Sequence, residues 1–324
     1  MKSIKSPSWI ERLLGFAPTP VPPHVFLLRP HELRYGAFAA GPDGLAAQAV
    51  GVAPLDPAIW GSGPLGGPAR DVEALREAIA VALGQATDVP KQASLVLPDA
   101  WMRLTFAEAD ELPSGRQDRL DVLRWKLKRL VPFRVEDLRL SATEVTPFPA
   151  QEEPRRLLLG FAVETLVSQL ESVFEQAGVE LGMITNLSLS LASALEAVMV
   201  PEALGGLVMV DESAYVIAFH RLGEPLLYRY KSVGASGLSA DAVRRDLRLT
   251  ASFVDQHFAD APRGRVVLAA PAEAEPAWQG WIERELAAEV AILRDEHLPL
   301  VRTPTGVGWL DVAPMVGAVR LEVD

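Results

Sequence analysis

The chain of 324 residues repeats one order of predicted elements, in which three short strands in succession lead into alternating helices and strands. Apolar runs bounded by Gly, Pro and Asp mark each strand. Turn-forming sequences such as Gly41-Pro42-Asp43-Gly44 separate the runs. The strands are predicted at residues 25–28, 33–40 and 46–52 in the first half, and at 206–210, 214–220 and 226–230 in the second. The repetition predicts two related halves that each open with an antiparallel meander.

The elements that follow the two meanders complete the order of a duplicated α/β fold. Apolar residues at helical spacing predict the helices, and short apolar runs predict buried strands between them. Helices are predicted at residues 72–83, 165–177, 187–198, 240–258, 278–286 and 309–319, and strands at 179–185, 266–270 and, as the last strand, 290–293. This is the order of the duplicated actin-like (ribonuclease-H-like) fold.

One stretch of the first half does not fit the repeat. Strands predicted at 94–97, 101–106, 138–145 and 156–163, with a helix at 116–131, form a β-β-α-β-β unit. We therefore expect an inserted subdomain. The predicted division is a tip and Pro-rich linker at 1–23, a first subdomain at 24–90 and 162–200, the insertion at 91–161, and a second subdomain at 201–324 with a reduced lobe near 235–260.

Composition excludes several classes of chemistry. The chain has no cysteine, which excludes disulfides and thiolate nucleophiles, and its five histidines are scattered, so we expect no metal site. A net charge of -11 repels phosphates, so we expect no nucleic-acid partner. The longest stretch without Asp, Glu, Lys or Arg, residues 13–28, contains four prolines, so no membrane-spanning helix is expected. The predicted location is cytoplasmic.

The first twenty residues contain a short amphipathic segment. Trp9, Ile10, Leu13 and Leu14 fall on one face of a helix predicted at 6–16, which Phe16 completes. Basic residues make this tip net positive. One interpretation is attachment to an anionic membrane surface or to a partner's groove. The alternative is a helix folded back on the protein's own surface.

Four segments carry a resemblance to a known family, the type IV pilus assembly proteins of the PilM group, which are similar to the cell-division protein FtsA. The most specific segment is Leu123-Arg-Trp-Lys-Leu-Lys-Arg-Leu-Val-Pro-Phe133, beside Leu95-Val-Leu-Pro-Asp-Ala100. The others are Gly51-Val-Ala-Pro-Leu55 and Asp71-Val-Glu-Ala-Leu-Arg-Glu-Ala78. The resemblance extends from about residue 25 to the C-terminus, although no single motif is long.

The resemblance implies a cytoplasmic protein that docks on the inner-membrane platform of a type IV pilus or a related secretion machine. Members bind the N-terminal cytoplasmic peptide of PilN, a membrane protein with one spanning helix, in a groove beside the inserted FtsA-like subdomain. Many members also bind ATP in the cleft between the lobes. The family therefore implies a PilN-like partner and a peripheral location at the inner membrane, and it leaves homo-oligomerisation open.

The positions at which the family holds ATP are altered in this chain. The first turn reads Leu28-Arg-Pro-His31 where a typical member has Asp-Ile-Gly-Ser. The second keeps Asp211 but replaces the glycine-containing turn with Glu212, Ser213 and Ala214, and the lobe expected after Gly234 is nearly absent. Because glycine lets backbone N–H groups approach phosphate, we expect no cofactor. ATP with Mg²⁺ would fit only if the degenerate cleft still bound it.

The helix at 116–131 supplies the candidate partner-binding residues Trp125, Leu130, Pro132 and Phe133. Trp125 lies off the apolar stripe of this helix, and aromatic residues in such positions often anchor interfaces. The alternative is that Trp125 packs on neighbouring strands. Pro132 and Phe133 end the helix, and the family places this corner at the peptide groove. A helix stop with one core aromatic is the alternative interpretation.

These observations lead to the hypothesis of a scaffold without catalytic residues, a pseudo-ATPase that binds an extended peptide of a membrane partner. The rival from the enzyme class is an active actin-like ATPase or a sugar-kinase-like phosphotransferase, which requires Asp211. A third interpretation is kinship with the cytoplasmic domain of the type II secretion protein GspL, which is also a scaffold.

Overall fold

The computed structural model describes residues 21–41, 44–63, 65–109, 111–132, 134–145, 154–195, 198–211, 214–233, 237, 239–298, 300–302 and 307–320. The α-helices in these ranges are α1 (Val72–Leu83), α2 (Arg116–Lys128), α3 (Glu164–Gln176), α4 (Leu187–Ala194), α5 (Ala240–His257), α6 (Glu275–Glu285) and α7 (Trp309–Ala318). The strands are β1 (His24–Arg29), β2 (Glu32–Gly41), β3 (Gly44–Pro54), β4 (Gln92–Leu97), β5 (Met102–Ala109), β6 (Leu138–Val145), β7 (Arg155–Val163), β8 (Glu180–Asn186), β9 (Leu204–Val210), β10 (Ala214–Arg221), β11 (Glu224–Ser232), β12 (Arg263–Ala269), β13 (Val290–Ile292) and β14 (Leu300–Arg302).

The two larger sheets repeat one topology. The six-stranded sheet has the order β14-β3-β2-β1-β4-β8, and the five-stranded sheet has the order β11-β10-β9-β12-β13. In both, three antiparallel strands form a meander, and the first strand of that meander pairs in parallel with the next strand of the sheet. The duplication predicted from the sequence is therefore confirmed, and the fold is the actin-like α/β fold.

The inserted subdomain contains a smaller sheet than expected. β4, which we expected as the first strand of the insertion, instead lies in the six-stranded sheet between β1 and β8. The remaining strands form an antiparallel sheet in the order β5-β7-β6, and α2 packs on it through Leu123 and Leu127. β4 is buried from Ala93 to Leu97, which is typical of a strand that pairs in parallel in a sheet covered on both faces. The three-stranded sheet with α2 is thus a β-α-β-β unit.

Two helices fill the space between the two larger sheets. Leu191 of α4 and Val316 of α7 share a core with Leu27 of the first sheet and Val216 of the second. The two helices cross so closely that a Cβ atom on Gly317 would lie 1.5 Å from the carbonyl oxygen of Ser190. The outer faces of the sheets are covered by α1 and α3 on one side and by α5 and α6 on the other.

The structure differs from the sequence-based prediction at several element ends. The strand at 290–293 is not the last, because β14 returns to the first sheet and pairs in parallel with β3. The helix expected at 116–131 ends at Lys128 and is followed by a turn. The amphipathic tip with Trp9, Ile10, Leu13, Leu14 and Phe16 lies outside the described residues. No helix in the part of the chain that the structure describes is long and apolar enough to cross a bilayer.

Candidate functional site

A buried carboxyl group joins the two halves of the molecule. Asp99 follows β4, and its Oδ1 accepts hydrogen bonds from Asn186 Nδ2 at 2.8 Å and from the Tyr228 hydroxyl at 2.7 Å. Its Oδ2 accepts from the backbone N–H of Ser188 at 3.1 Å, and the Ser188 hydroxyl also bonds to this carboxyl group. Asn186 in turn caps α4, because its Oδ1 accepts from the N–H of Leu189 at 3.1 Å. This network connects β4, α4 and β11.

Burial dominates the electrostatics of this network. It raises the pKa of Asp99 to about 6, although the hydrogen bonds from Ser188 and Tyr228 act in the opposite direction. Burial beside this carboxyl group also raises the pKa of Tyr228 well above its ordinary value. Asp99 is only 4% exposed, so it is not placed to meet a substrate from solvent. Its position favours a role in holding the lobes together.

The inserted sheet is also fixed to the second lobe by two arginines. The guanidinium group of Arg103 on β5 lies 4.3 Å from the centroid of the Tyr230 ring on β11. Arg156 on β7 lies 4.0 Å from the Phe106 ring and donates to the carbonyl oxygen of Leu226. Cation–π contacts of this kind stabilise partly desolvated arginines. The insertion therefore rests directly on β11.

Beside these contacts lies a groove of about 360 Å³, which we call the interlobe groove. It runs between the end of α2 and β5 on one side and β11 and α5 on the other. Leu130 and Leu249 are 51% and 54% exposed. The lining residues are Arg103, Leu104, Thr105, Leu130, Val131, Pro132, Phe161, Tyr228, Arg229, Tyr230, Lys231, Asp246 and Leu249. The groove thus combines apolar and aromatic side chains with three basic ones.

Asp246 is the single acidic residue among the described residues that line the groove, and it already has partners within the protein. It accepts a hydrogen bond from the Tyr215 hydroxyl at 2.6 Å and lies 3.7 Å from Lys231 Nζ. Arg229 donates to the Thr250 hydroxyl at 3.1 Å. The groove is therefore apolar with a cationic character along β11.

The strands that flank the groove are both at the ends of their sheets. β5 is an end strand of the three-stranded sheet, and β11 is an end strand of the five-stranded sheet. An end strand presents backbone N–H and C=O groups that can pair with an added peptide. Two end strands therefore border the groove.

The structure separates the residues that the sequence grouped as one partner-binding corner. Leu130 and Pro132 line the interlobe groove. Trp125 is 59% exposed and lines a different depression with Lys128. Phe133 lies outside the described residues. The sequence around residues 130–133 could not predict the groove, because the groove also includes Leu249 of α5. Leu249 is distant in the chain and lies off the apolar stripe of α5.

The positions that correspond to nucleotide contacts have other local partners. Asp211 directly follows β9, and its N–H donates to the carbonyl oxygen of Ala214 at 2.8 Å, while Ser213 and Gly234 lie outside the described residues. At the β1–β2 turn, Glu32 accepts from Arg29 and from Arg34, both at 2.8 Å. Arg34 also lies 3.1 Å from Asp311 of α7. No cluster of three acidic or His side chains suited to a metal occurs among the described residues.

Asp99 and Tyr228 were not recognised as a pair from the sequence. Asp99 belongs to a segment that carries the family resemblance, and a polar residue directly after a buried strand is a signal that could have singled it out. Tyr228 gives no such signal, because the two residues are separated by 129 positions. Only the folded arrangement brings them together.

Comparisons with known proteins support the fold. No protein-family model matches the sequence, and no curated protein sequence matches it significantly. Among solved structures, the chain is similar to one described as a PilM-PilN type IV pilus biogenesis complex, with a TM-score of 0.71, 15% identity and coverage of 93% of this chain and 97% of that one. It also matches the cytoplasmic domain of EpsL, an inner-membrane component of the type II secretion system of Vibrio cholerae, with a TM-score of 0.48, 11% identity and coverage of 93% and 96%.

Proposed function

We propose that this protein is a scaffold of the inner-membrane assembly platform of a type IV pilus or a related secretion system. In this proposal it binds the N-terminal cytoplasmic peptide of a PilN-like membrane partner and works at the cytoplasmic face of the inner membrane. The similarity to the PilM-PilN complex extends over nearly the whole of both chains, which supports the same kind of assembly here. The sequence segments that resemble the PilM group point to the same role.

The observation that carries the proposal is the interlobe groove. Leu130 and Leu249 expose apolar surface there, and burying a leucine side chain contributes about 1.5–3 kcal/mol. β5 and β11 can pair with the main chain of an extended peptide, which would set its register. Peptide recognition through strand addition and apolar pockets uses both features. In this proposal, Leu130 and Pro132 contact the partner.

We further propose that the protein acts without ATP hydrolysis. The β1–β2 turn lacks the glycine and aspartate of the family motif, and its acidic residue Glu32 is held by Arg29 and Arg34. Pro30 lacks a backbone N–H group that could meet a phosphate. Movement of the lobes around a nucleotide would also have to break the contact between Asp99 and Tyr228. These features favour a docking protein over a phosphotransferase.

The proposal is tested by titrating the purified chain with a fluorescent peptide that copies the N-terminal cytoplasmic segment of the PilN-like protein from the same cell. We expect saturable binding in fluorescence anisotropy. Leu130→Ser combined with Leu249→Ser should weaken it at least about tenfold, because two leucines lose their apolar contacts. Val81→Ser, at an exposed position on α1, is the matched control and should bind as the unchanged chain does.

Two outcomes would contradict this proposal. A chain that does not bind the peptide at any accessible concentration would exclude the PilN-like partner. Equal binding by the double variant and by the unchanged chain would place the peptide outside the interlobe groove. Circular dichroism of each variant establishes that the fold is retained.

A further inference from the structure

A second exposed surface lies on α2, away from the interlobe groove. One side of this helix packs on the inserted sheet through Leu123 and Leu127, which are almost completely buried. Trp125 lies on the other side and is 59% exposed. Exposing that much of an indole ring to water is unfavourable. Within the described residues, the depression beside Trp125 shares no lining residue with the groove.

Positive charge surrounds this tryptophan. The Nζ atom of Lys126 lies 5.8 Å from the centroid of the Trp125 ring, and the guanidinium carbon of Arg129 lies 5.7 Å from it. Lys128 and Arg124 line the adjacent depression together with Asp121 and Glu136, and Arg124 lies 3.6 Å from Asp121. Residues 116–137 contain seven arginines and lysines and four acidic residues, in a chain whose net charge is -11. The surface is therefore locally cationic on an acidic protein.

The depression beside Trp125 does not suit an apolar anchor from a protein partner. The other described residues that line it are Asp121, Arg124, Lys128, Val135 and Glu136. An interface anchor is normally enclosed in a desolvated pocket. Four of these five residues carry charge, so an inserted apolar side chain would desolvate charged groups. A hydrated, charged layer suits this surface better.

The chemistry of the surface fits the headgroup region of an anionic bilayer. Tryptophan prefers the interface between water and lipid, where its ring is partly buried and its N–H group stays hydrated. Lysine and arginine side chains extend to anionic headgroups while their stems cover apolar surface. We propose that the outer face of α2 contacts an anionic membrane, with Trp125 at the level of the headgroups and Lys126, Lys128 and Arg129 supplying the attraction.

This inference rests on the proposed function for the presence of a membrane, but it uses a different surface from the interlobe groove. A protein whose groove held the peptide of a membrane partner would then have a second contact on the bilayer. Two linked contacts strengthen attachment because the second becomes intramolecular. If either the peptide contact or the membrane contact does not form, the other can still be measured. The two proposals can therefore be tested separately.

The test is co-sedimentation of the full chain with vesicles of phosphatidylcholine alone and with vesicles that contain equal amounts of phosphatidylcholine and phosphatidylglycerol. We expect partitioning to the anionic vesicles that decreases as NaCl is raised from about 0.1 M to about 0.5 M. Replacing Lys126, Lys128 and Arg129 by glutamine should reduce the partition coefficient at least about tenfold. Trp125→Ala should reduce it about threefold or more.

A matched triple variant carries the same change in net charge elsewhere. Arg76, Arg263 and Arg265 are exposed and far from α2 in the chain, and their replacement by glutamine should leave partitioning nearly unchanged. Equal partitioning of the α2 variants and the unchanged chain would overturn the proposal and assign any binding to another surface. The proposal would also be overturned if Trp125→Ala bound vesicles normally but was lost from cell membranes. The outer face of α2 would then dock on a membrane protein and not on lipid. Peptide binding by the α2 variants, measured separately, reports on the groove alone.

Discussion

The hydroxyl group of Tyr228 on β11 lies 2.7 Å from Oδ1 of Asp99, which lies two residues after the end of β4 at Leu97. This hydrogen bond joins the two halves of a duplicated fold. The same carboxyl group accepts from Asn186, the residue that caps α4. Since α4 lies between the two sheets, one buried network sets the position of both lobes relative to the helix that connects them.

Tyr228→Phe should destabilise the protein by about 1–3 kcal/mol, because it removes a donor to a buried carboxyl group without adding a replacement. Urea unfolding followed by circular dichroism measures this change. Ser172→Ala is the control, because it removes an exposed hydroxyl that bonds only to Gln176 in the described structure, and it should change stability by less than about 0.5 kcal/mol. Equal stability of the two variants would mean that the Tyr228 contact contributes nothing.

The raised pKa of Asp99 predicts a specific pH dependence. In the unfolded chain this carboxyl releases its proton near its ordinary pKa of 3.8, whereas burial keeps it protonated in the folded protein until about pH 6. The folded state therefore binds more protons between these values, and the stability from this group falls as the pH rises through that window. The loss is on the order of 3 kcal/mol.

Asp99→Asn removes this titration, so the variant is the reference against which the unchanged chain is compared at each pH. Relative to the variant, the free energy of unfolding of the unchanged chain should decrease from about pH 4 to about pH 6. Above about pH 6 the difference between the two proteins should stay constant. Urea unfolding at a series of pH values measures it. A difference that does not vary with pH would show that the carboxyl group titrates alike in the folded and unfolded states.

The sequence predicted those parts of the fold that have strong local patterns. The helix expected at 72–83 has those bounds, because its apolar stripe is regular and Asp71 accepts from the N–H of Ala74 at its start. β14 was missed, since its three residues form a strand only by pairing with β3 in a distant part of the chain. β4 was assigned to the insertion because its apolar run does not specify a sheet. The interlobe groove brings Leu130 and Leu249 to one site, which only the folded chain provides.

The crossing of α4 and α7 predicts a severe effect at one glycine. In Gly317→Ala, the new methyl group would meet the carbonyl oxygen of Ser190 at 1.5 Å, so the helices would have to separate. We expect a loss of at least about 3 kcal/mol, comparable to strong overpacking in a core. Thermal and urea unfolding measure the loss.

Gly280→Ala is the matched control for this prediction, since Gly280 also lies inside a helix but a Cβ atom there would meet no neighbour within 4 Å. Alanine is the better helix former, so this variant should gain about 0.5–1 kcal/mol. A similar loss in both variants would contradict the steric explanation and point to a general effect of the substitution.

Calorimetric titration with MgATP tests whether the cleft between the lobes retains a nucleotide site. We expect no saturable heat up to about millimolar nucleotide, since the β1–β2 turn contains Pro30 and its cations face Glu32 and Asp311. The same preparation should bind the partner peptide, which shows that it is folded and competent. Saturable binding at about micromolar nucleotide that disappears in Asp211→Ala would contradict the scaffold proposal and favour a phosphotransferase. Both ligands, MgATP and the partner peptide, therefore need to be titrated into one sample. Peptide binding without MgATP binding distinguishes a cleft that does not bind nucleotide from a protein that is inactive as a whole.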